Sequence, residues 1–145
     1  MNKNQLKMVH YGQLVNQVIT TTEDIQSTMS PKFETLLQAI DAATVAALDP
    51  ADYTATKAAF AAGTAQYEAL GQQLNGVVAP ARLMGNHKLL AGAYAEFVAG
   101  CQAMTASLGA APADLDTAAF DAAETAQDTA TAKLMKHLQK ISALA

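Results

Sequence analysis

Apolar residues recur along this chain in alternating steps of three and four from one end to the other. The cleanest run is His87, Leu90, Tyr94, Phe97, Cys101, Met104 and Leu108. That is the rhythm of one helix face turned toward partner helices. An earlier run reads Tyr53, Thr56, Phe60, Gly63, Tyr67, Leu70, Leu74, and a later one Phe120, Ala123, Gln127, Ala130, Leu134, His137, Ile141. The chain opens on Met8, Tyr11, Val15, Val18, Thr22, Ile25 and Met29, then continues with Phe33, Leu36, Ile40, Ala43 and Ala47. No period-two alternation appears, so no strand is expected. The pattern predicts an all-α fold, an antiparallel up-down bundle of four long helices, with residues 1–145 forming one domain.

Punctuation places the ends of these segments. Asp49 caps the second long helix with Pro50 at its first position, and Asn75-Gly76 closes it. The third begins near Pro80 and ends at Gly109 and Pro112, and the fourth is capped near Asp114 or Asp116. The first segment has a flaw. Between Met29 and Phe33 the step is four where three is due, and Ser30-Pro31 falls in the gap. A proline inside a helix forfeits a hydrogen bond and crowds the preceding turn, and it pushes its predecessor toward extended geometry. The first helix is therefore expected to be kinked or broken near Ser30-Pro31, with a short fifth helix in the broken case. An unbroken helix of more than forty residues would span roughly 65 Å, against about 40–45 Å for the later ones. That comparison favours the break, because otherwise the N-terminal turns carry an apolar stripe out into water.

Composition narrows the function classes. The chain has no Trp, few aromatics and a formal net charge of −4, which argues against stacking surfaces for single strands and against binding duplex nucleic acid. A single cysteine, Cys101, allows no internal disulfide. Residues 1–19 carry no continuous apolar stretch, and the longest uncharged stretch, Phe97 to Ala113, is interrupted by Gln102, Thr105 and Ser107. The expected location is cytoplasmic, the alternative being an exported protein whose leader is absent from this sequence. No glutamate has a histidine three residues on, and no thiolate or imidazole cluster exists, so neither a metal nor a cofactor is expected. Phosphate loops and nucleophile elbows are also missing, and Glu96 and Glu124 read as solvated face. An enzyme is not the expected reading.

Two constellations remain as candidates. Short hairpin turns set the heights of residues on neighbouring helices. They bring Tyr94 level with Gln127 and His87 level with Tyr67, which predicts a polar layer of His87, Tyr67, Tyr94 and Gln127 in the core. Such a layer is either filler or the lining of a ligand pocket. Cys101 lies roughly 21 Å along the helix from His87, too far to be activated by it. The second constellation is electrostatic. Arg82 and Lys88 share one end of the bundle with Lys133, Lys136 and Lys140, while Asp49, Asp52, Asp114 and Asp116 lie at the other. The basic end could receive an anion or an acidic partner. The leading expectation is a non-enzymatic interaction or scaffold protein meeting a second copy or another protein through its first helix or its basic end. The alternative is a bundle binding a small molecule or anion. A membrane ranks last, because the first segment has few lysines on its polar face.

Overall fold

The computed structural model describes residues 1–145. Four long helices follow one another: α1 (Lys3–Asp41), α2 (Pro50–Gly76), α3 (Met84–Ser107) and α4 (Thr117–Leu144). Single 3₁₀ turns at Val45–Ala47, Ala81–Leu83 and Pro112–Asp114 sit in the three connections. No strand forms. The helices run up, down, up and down, as the short connections require.

The caps explain the boundaries. The Asp49 side chain accepts from the backbone N–H of Asp52, with Pro50 at the first helical position of α2. Asp116 accepts from Ala119 N–H to start α4, and Asp114 holds the turn before it by accepting from Ala111 N–H. At the front, Asn2 and Gln5 exchange side-chain and backbone bonds in a capping box. Caps account for three of the four aspartates gathered at one end of the bundle, and Asp52 adds negative charge to the first turn of α2.

The first helix does not break. It runs uninterrupted through Pro31 and stops at Asp41. The bond that Pro31 cannot make would have gone to the carbonyl of Ser27, and both residues lie on the exposed face. Water can satisfy that carbonyl, so the cost of the proline is met outside the core. Ala43 and Ala47, expected on the buried face, are exposed because the helix has already ended. Ala43 takes a left-handed φ of 56° and closes the helix, with Ala43 N–H donating to Ile40 O and Thr44 N–H to Ala39 O. The length mismatch is real and is resolved by overhang. Residues 1–10 are exposed except for half-buried Met8, and the first buried residue is Tyr11.

The predicted stripes form the core. All seven residues of the α3 run are buried, as are all seven of the α2 run. The apolar interior divides into two clusters. A larger one holds Tyr11, Val18, Leu74, Leu83, Leu90 and Leu134, and a smaller one holds Leu36, Tyr53, Phe60, Met104 and Phe120. Phe33 stacks on Phe120 with ring centroids 5.9 Å apart. The α3–α4 crossing is close because Gly100 faces α4. A Cβ there would lie 2.8 Å from Gln127 Cγ and 3.2 Å from the Gln127 backbone nitrogen.

Candidate functional site

The polar groups of the core bind each other through α1. His87 Nε2 lies 2.9 Å from the carbonyl oxygen of Leu74, and Nδ1 lies 2.9 Å from the Tyr11 hydroxyl. A carbonyl only accepts, so Nε2 carries the hydrogen and, in the neutral ring, Nδ1 accepts from Tyr11. Two turns further along α3, Tyr94 and Thr22 hydroxyls are 2.8 Å apart, and Thr22 donates to Val18 O at 2.8 Å. Thr22 has spent its hydrogen, so Tyr94 is the donor. Burial pushes Tyr11 and Tyr94 both up to about 12. They stay protonated through the physiological range and serve as fixed donors.

This arrangement corrects the polar layer expected from the hairpins. Tyr94 bonds Thr22 and not Gln127, and His87 bonds Tyr11 and Leu74, with Tyr67 packed instead edge-on against Phe97 at 5.0 Å. The half-buried Gln127 donates through Nε2 to Gly100 O at 3.1 Å, as the tight crossing directs. Symmetry about a tight turn misplaces the heights, because both connections are longer than a tight turn: Gly71 lies level with Tyr94, Tyr67 with Phe97, and Gln127 with Gly100. An unbroken α1 lies alongside α3 and takes both partners. The polar groups of His87 and Tyr94 are thus satisfied inside the core.

A cavity of about 400 Å³ does open where the two apolar clusters meet. Phe33, Phe60, Phe97 and Tyr67 wall it, with Met29, Met104, Cys101 and Gln127. Two of the four expected ligand residues, Tyr67 and Gln127, therefore line a cavity, although a different one from that expected. Its polar rim is acidic: Glu34, Glu124 and Asp128 are present and no cation is. Glu124 Oε2 is buried with no hydrogen-bond partner. Burial and the neighbouring Asp128, Asp121, Asp41 and Glu34 hold the Glu124 carboxyl above its ordinary value. Glu124 was expected on the solvated face; in fact it is half-buried beside the seam residue Ala123. Its adjacency to that seam is the only sequence signal that could have found it. Cys101 also lines this cavity, but burial pushes its thiol up to about 12, so it is a neutral thiol and a poor nucleophile.

The strongest feature is the distribution of charge. Residues 1–22, 69–95 and 129–145 contain seven of the nine Lys and Arg residues and none of the 13 Asp and Glu residues. The fold stacks these three stretches into one half of the bundle. The Thr22–Tyr94 bond, the packing of Gly71 against the Tyr94 ring and the Lys133–Glu96 ion pair at 2.9 Å set their inner limits at one level. One half therefore carries a formal +7 and the other −11, which together make the chain's −4. Arg82, Lys88, Lys136 and Lys140 are exposed in the basic half, and Lys133 is the one tied to a carboxylate, at its border. The same half holds every large hydrophobic side chain that is exposed: Met1, Leu6, Val9, Val78, Met84, Leu89, Met135 and Leu144. The acidic half has none.

No family model, curated protein or solved structure matches this chain. No group of three or more His, Cys, Asp or Glu side chains is placed to hold a metal ion. No helix is long and apolar enough to cross a membrane. The molecule is a small all-helical bundle with a polarised, partly apolar end and an acidic-rimmed cavity that is partly open to solvent.

Proposed function

We propose that the protein is a non-enzymatic interaction module whose contact surface is the basic end of the bundle. One observation carries the reading. Exposed apolar side chains and unpaired cations coincide in the half that lacks carboxylates, whereas scattered exposed hydrophobics are the norm on a protein surface. Arg82, Lys88, Lys136 and Lys140 supply the charge, with Lys133 at the border of the patch. The apolar stripe of α1, itself a candidate interface, is largely spent inside the bundle, since Tyr11, Val15 and Val18 are buried. What α1 adds to a contact is its overhanging first turns with Leu6 and Val9. The partner is anionic and offers apolar surface. Two probes test this: an acidic amphipathic peptide of alternating Glu-rich and Leu-rich turns, and vesicles bearing anionic lipid. Binding of at least one at low salt is expected, with loss in the triple variant Lys88→Glu, Lys136→Glu, Lys140→Glu. Binding of neither, or undiminished binding by the variant, refutes the reading.

A second reading rests on a separate observation, the buried and unpartnered Glu124 oxygen beside four aromatic rings. A carboxylate and ring faces together suit an apolar molecule with an ammonium head. Thermal-shift titration with phenylalkylamines, set against phenylalkanoates, tests it. Stabilisation by the amines alone that disappears in Glu124→Gln supports the site, and equal shifts with both series remove it.

A further inference from the structure

We infer that the anionic surface met by the basic end is a phospholipid bilayer, on which the protein docks end-on without crossing it. This rests on the reading of that end as the contact surface. Three arguments select the bilayer. First, a second copy fits poorly. Its acidic half offers the complementary charge but no exposed large hydrophobic side chain, and its basic half repels. Second, the exposed apolar side chains come from separate pieces of chain: the first turns of α1, the loop at Val78, the start of α3 and the last turns of α4. A peptide helix needs one continuous groove with anchors at helical spacing. A bilayer interface takes separate apolar points wherever they touch it, with cations placed among the headgroups.

Third, the end is shaped for insertion. Eight helical residues precede Tyr11 in α1, while only three precede its bonding partner His87 in α3. The first turns of α1 therefore stand about 7 Å beyond the start of α3. Between that overhang and the 3₁₀ turn lies an open cleft lined by Lys7, Met8, Val9, Pro80 and Arg82. Two cations over apolar walls suit a lipid phosphate with its chains below. The sequence groups Arg82, Lys88, Lys133, Lys136 and Lys140 at one end but does not show the exposed apolar side chains that accompany them. The lysines of α1, α3 and α4 converge only in the bundle.

Co-sedimentation with vesicles tests the assignment, using equal parts phosphatidylglycerol and phosphatidylcholine against phosphatidylcholine alone, at 50 and 300 mM salt. Binding to the anionic vesicles at low salt, weakened at high salt and absent on neutral vesicles, is expected. Lys88→Glu, Lys136→Glu, Lys140→Glu should lower the partition coefficient by at least about tenfold, and so should Leu6→Ser, Leu89→Ser, Met135→Ser. Lys32→Glu, in the acidic half, should leave it unchanged. All substituted side chains are exposed or half-exposed, and circular dichroism melts confirm that each variant folds. Absence of anionic-vesicle binding by the wild type overturns the inference, as does an equal loss in Lys32→Glu. Binding of the acidic peptide without vesicles overturns the lipid assignment but leaves the contact surface standing. Binding of neither overturns both.

Discussion

Replacing Tyr11 with Phe deletes one oxygen and asks what it was worth. Its ring edge meets His87 at a centroid distance of 5.2 Å, and that contact survives the change. The hydroxyl is the only donor to His87 Nδ1, because Nε2 is already committed to Leu74. Loss of the hydroxyl leaves a buried imidazole nitrogen with no partner, on a residue only 7% exposed. An orphaned buried acceptor costs about 1–3 kcal/mol. Unfolding entropy for a chain of this length is on the order of 0.3 kcal/mol per kelvin, so a 2 kcal/mol loss lowers Tm by about 6–7 °C. Tyr94→Phe is the internal control. It removes a hydroxyl of equal size, but Thr22 keeps its own bond to Val18 O, so the loss is that of an ordinary hydrogen bond, about 0.5–1.5 kcal/mol. Calorimetric melts of both variants at pH 7 should therefore rank Tyr11→Phe as the more damaging. Nitrogen-15 spectra of the histidine rings should show His87 as the Nε2–H tautomer. The reverse ranking, or an Nδ1–H tautomer, refutes the bonding pattern.

Three further outcomes follow from single positions. Ala43→Gly relieves a left-handed φ at the end of α1; the relief exceeds the added unfolded-chain entropy, so chemical denaturation should show a gain of up to about 1 kcal/mol. Glu124→Gln concerns an acid held above its ordinary value of 4.5 in the fold. The native state then binds the proton more tightly than the unfolded chain, so wild-type stability falls as pH rises through that window. The variant should be the more stable at pH 7, with the difference vanishing below about pH 4 in denaturant titrations across pH. Gly100→Ala forces a methyl against the Gln127 backbone, and overpacking of about 1–3 kcal/mol outweighs the gain in helix propensity. A lower Tm is expected, and a rise would show that α3 and α4 can separate freely.

The helical pattern was legible because burial in a bundle repeats at the helix period, and every α2 and α3 stripe residue sits where the period puts it. The caps were legible because Asp49 and Asp116 act within three residues of themselves. What was not legible involves α1. A proline's effect depends on whether its orphaned carbonyl meets water; the stripe through Ile25 and Met29 puts Ser27 on the opposite face, but the stripe alone does not say how far α1 continues past Pro31. Hairpin symmetry considers only helices adjacent in the chain, so it leaves out α1 as a source of partners for Tyr94 and His87. The true partners, Thr22 and Tyr11, lie 72 and 76 residues away in the chain. The cavity was hidden for a related reason. It lies between two apolar clusters that each look complete along the sequence.

The separation of charge asks for an explanation beyond folding. Acid-free and acid-rich stretches alternate along the chain, and the up-down path stacks like with like. Gathering a formal +7 in one half and −11 in the other makes each half repel itself. The acidic half has a local account in part, since Asp49, Asp114 and Asp116 hold backbone N–H groups at helix and turn starts. The basic half has no such account. Arg82 and Lys88 sit at the N-terminal side of α3, where positive charge opposes the helix dipole. Lys136 and Lys140 complement the dipole of α4, yet that does not explain why exposed Leu89, Met135 and Val78 lie beside these cations. Stability alone would favour mixed charge and fewer exposed apolar side chains here. A surface that is unfavourable for the free molecule in both respects is what the proposed contact would require, and loss of vesicle binding without loss of stability in the Lys88→Glu, Lys136→Glu, Lys140→Glu variant is the result that would connect the two.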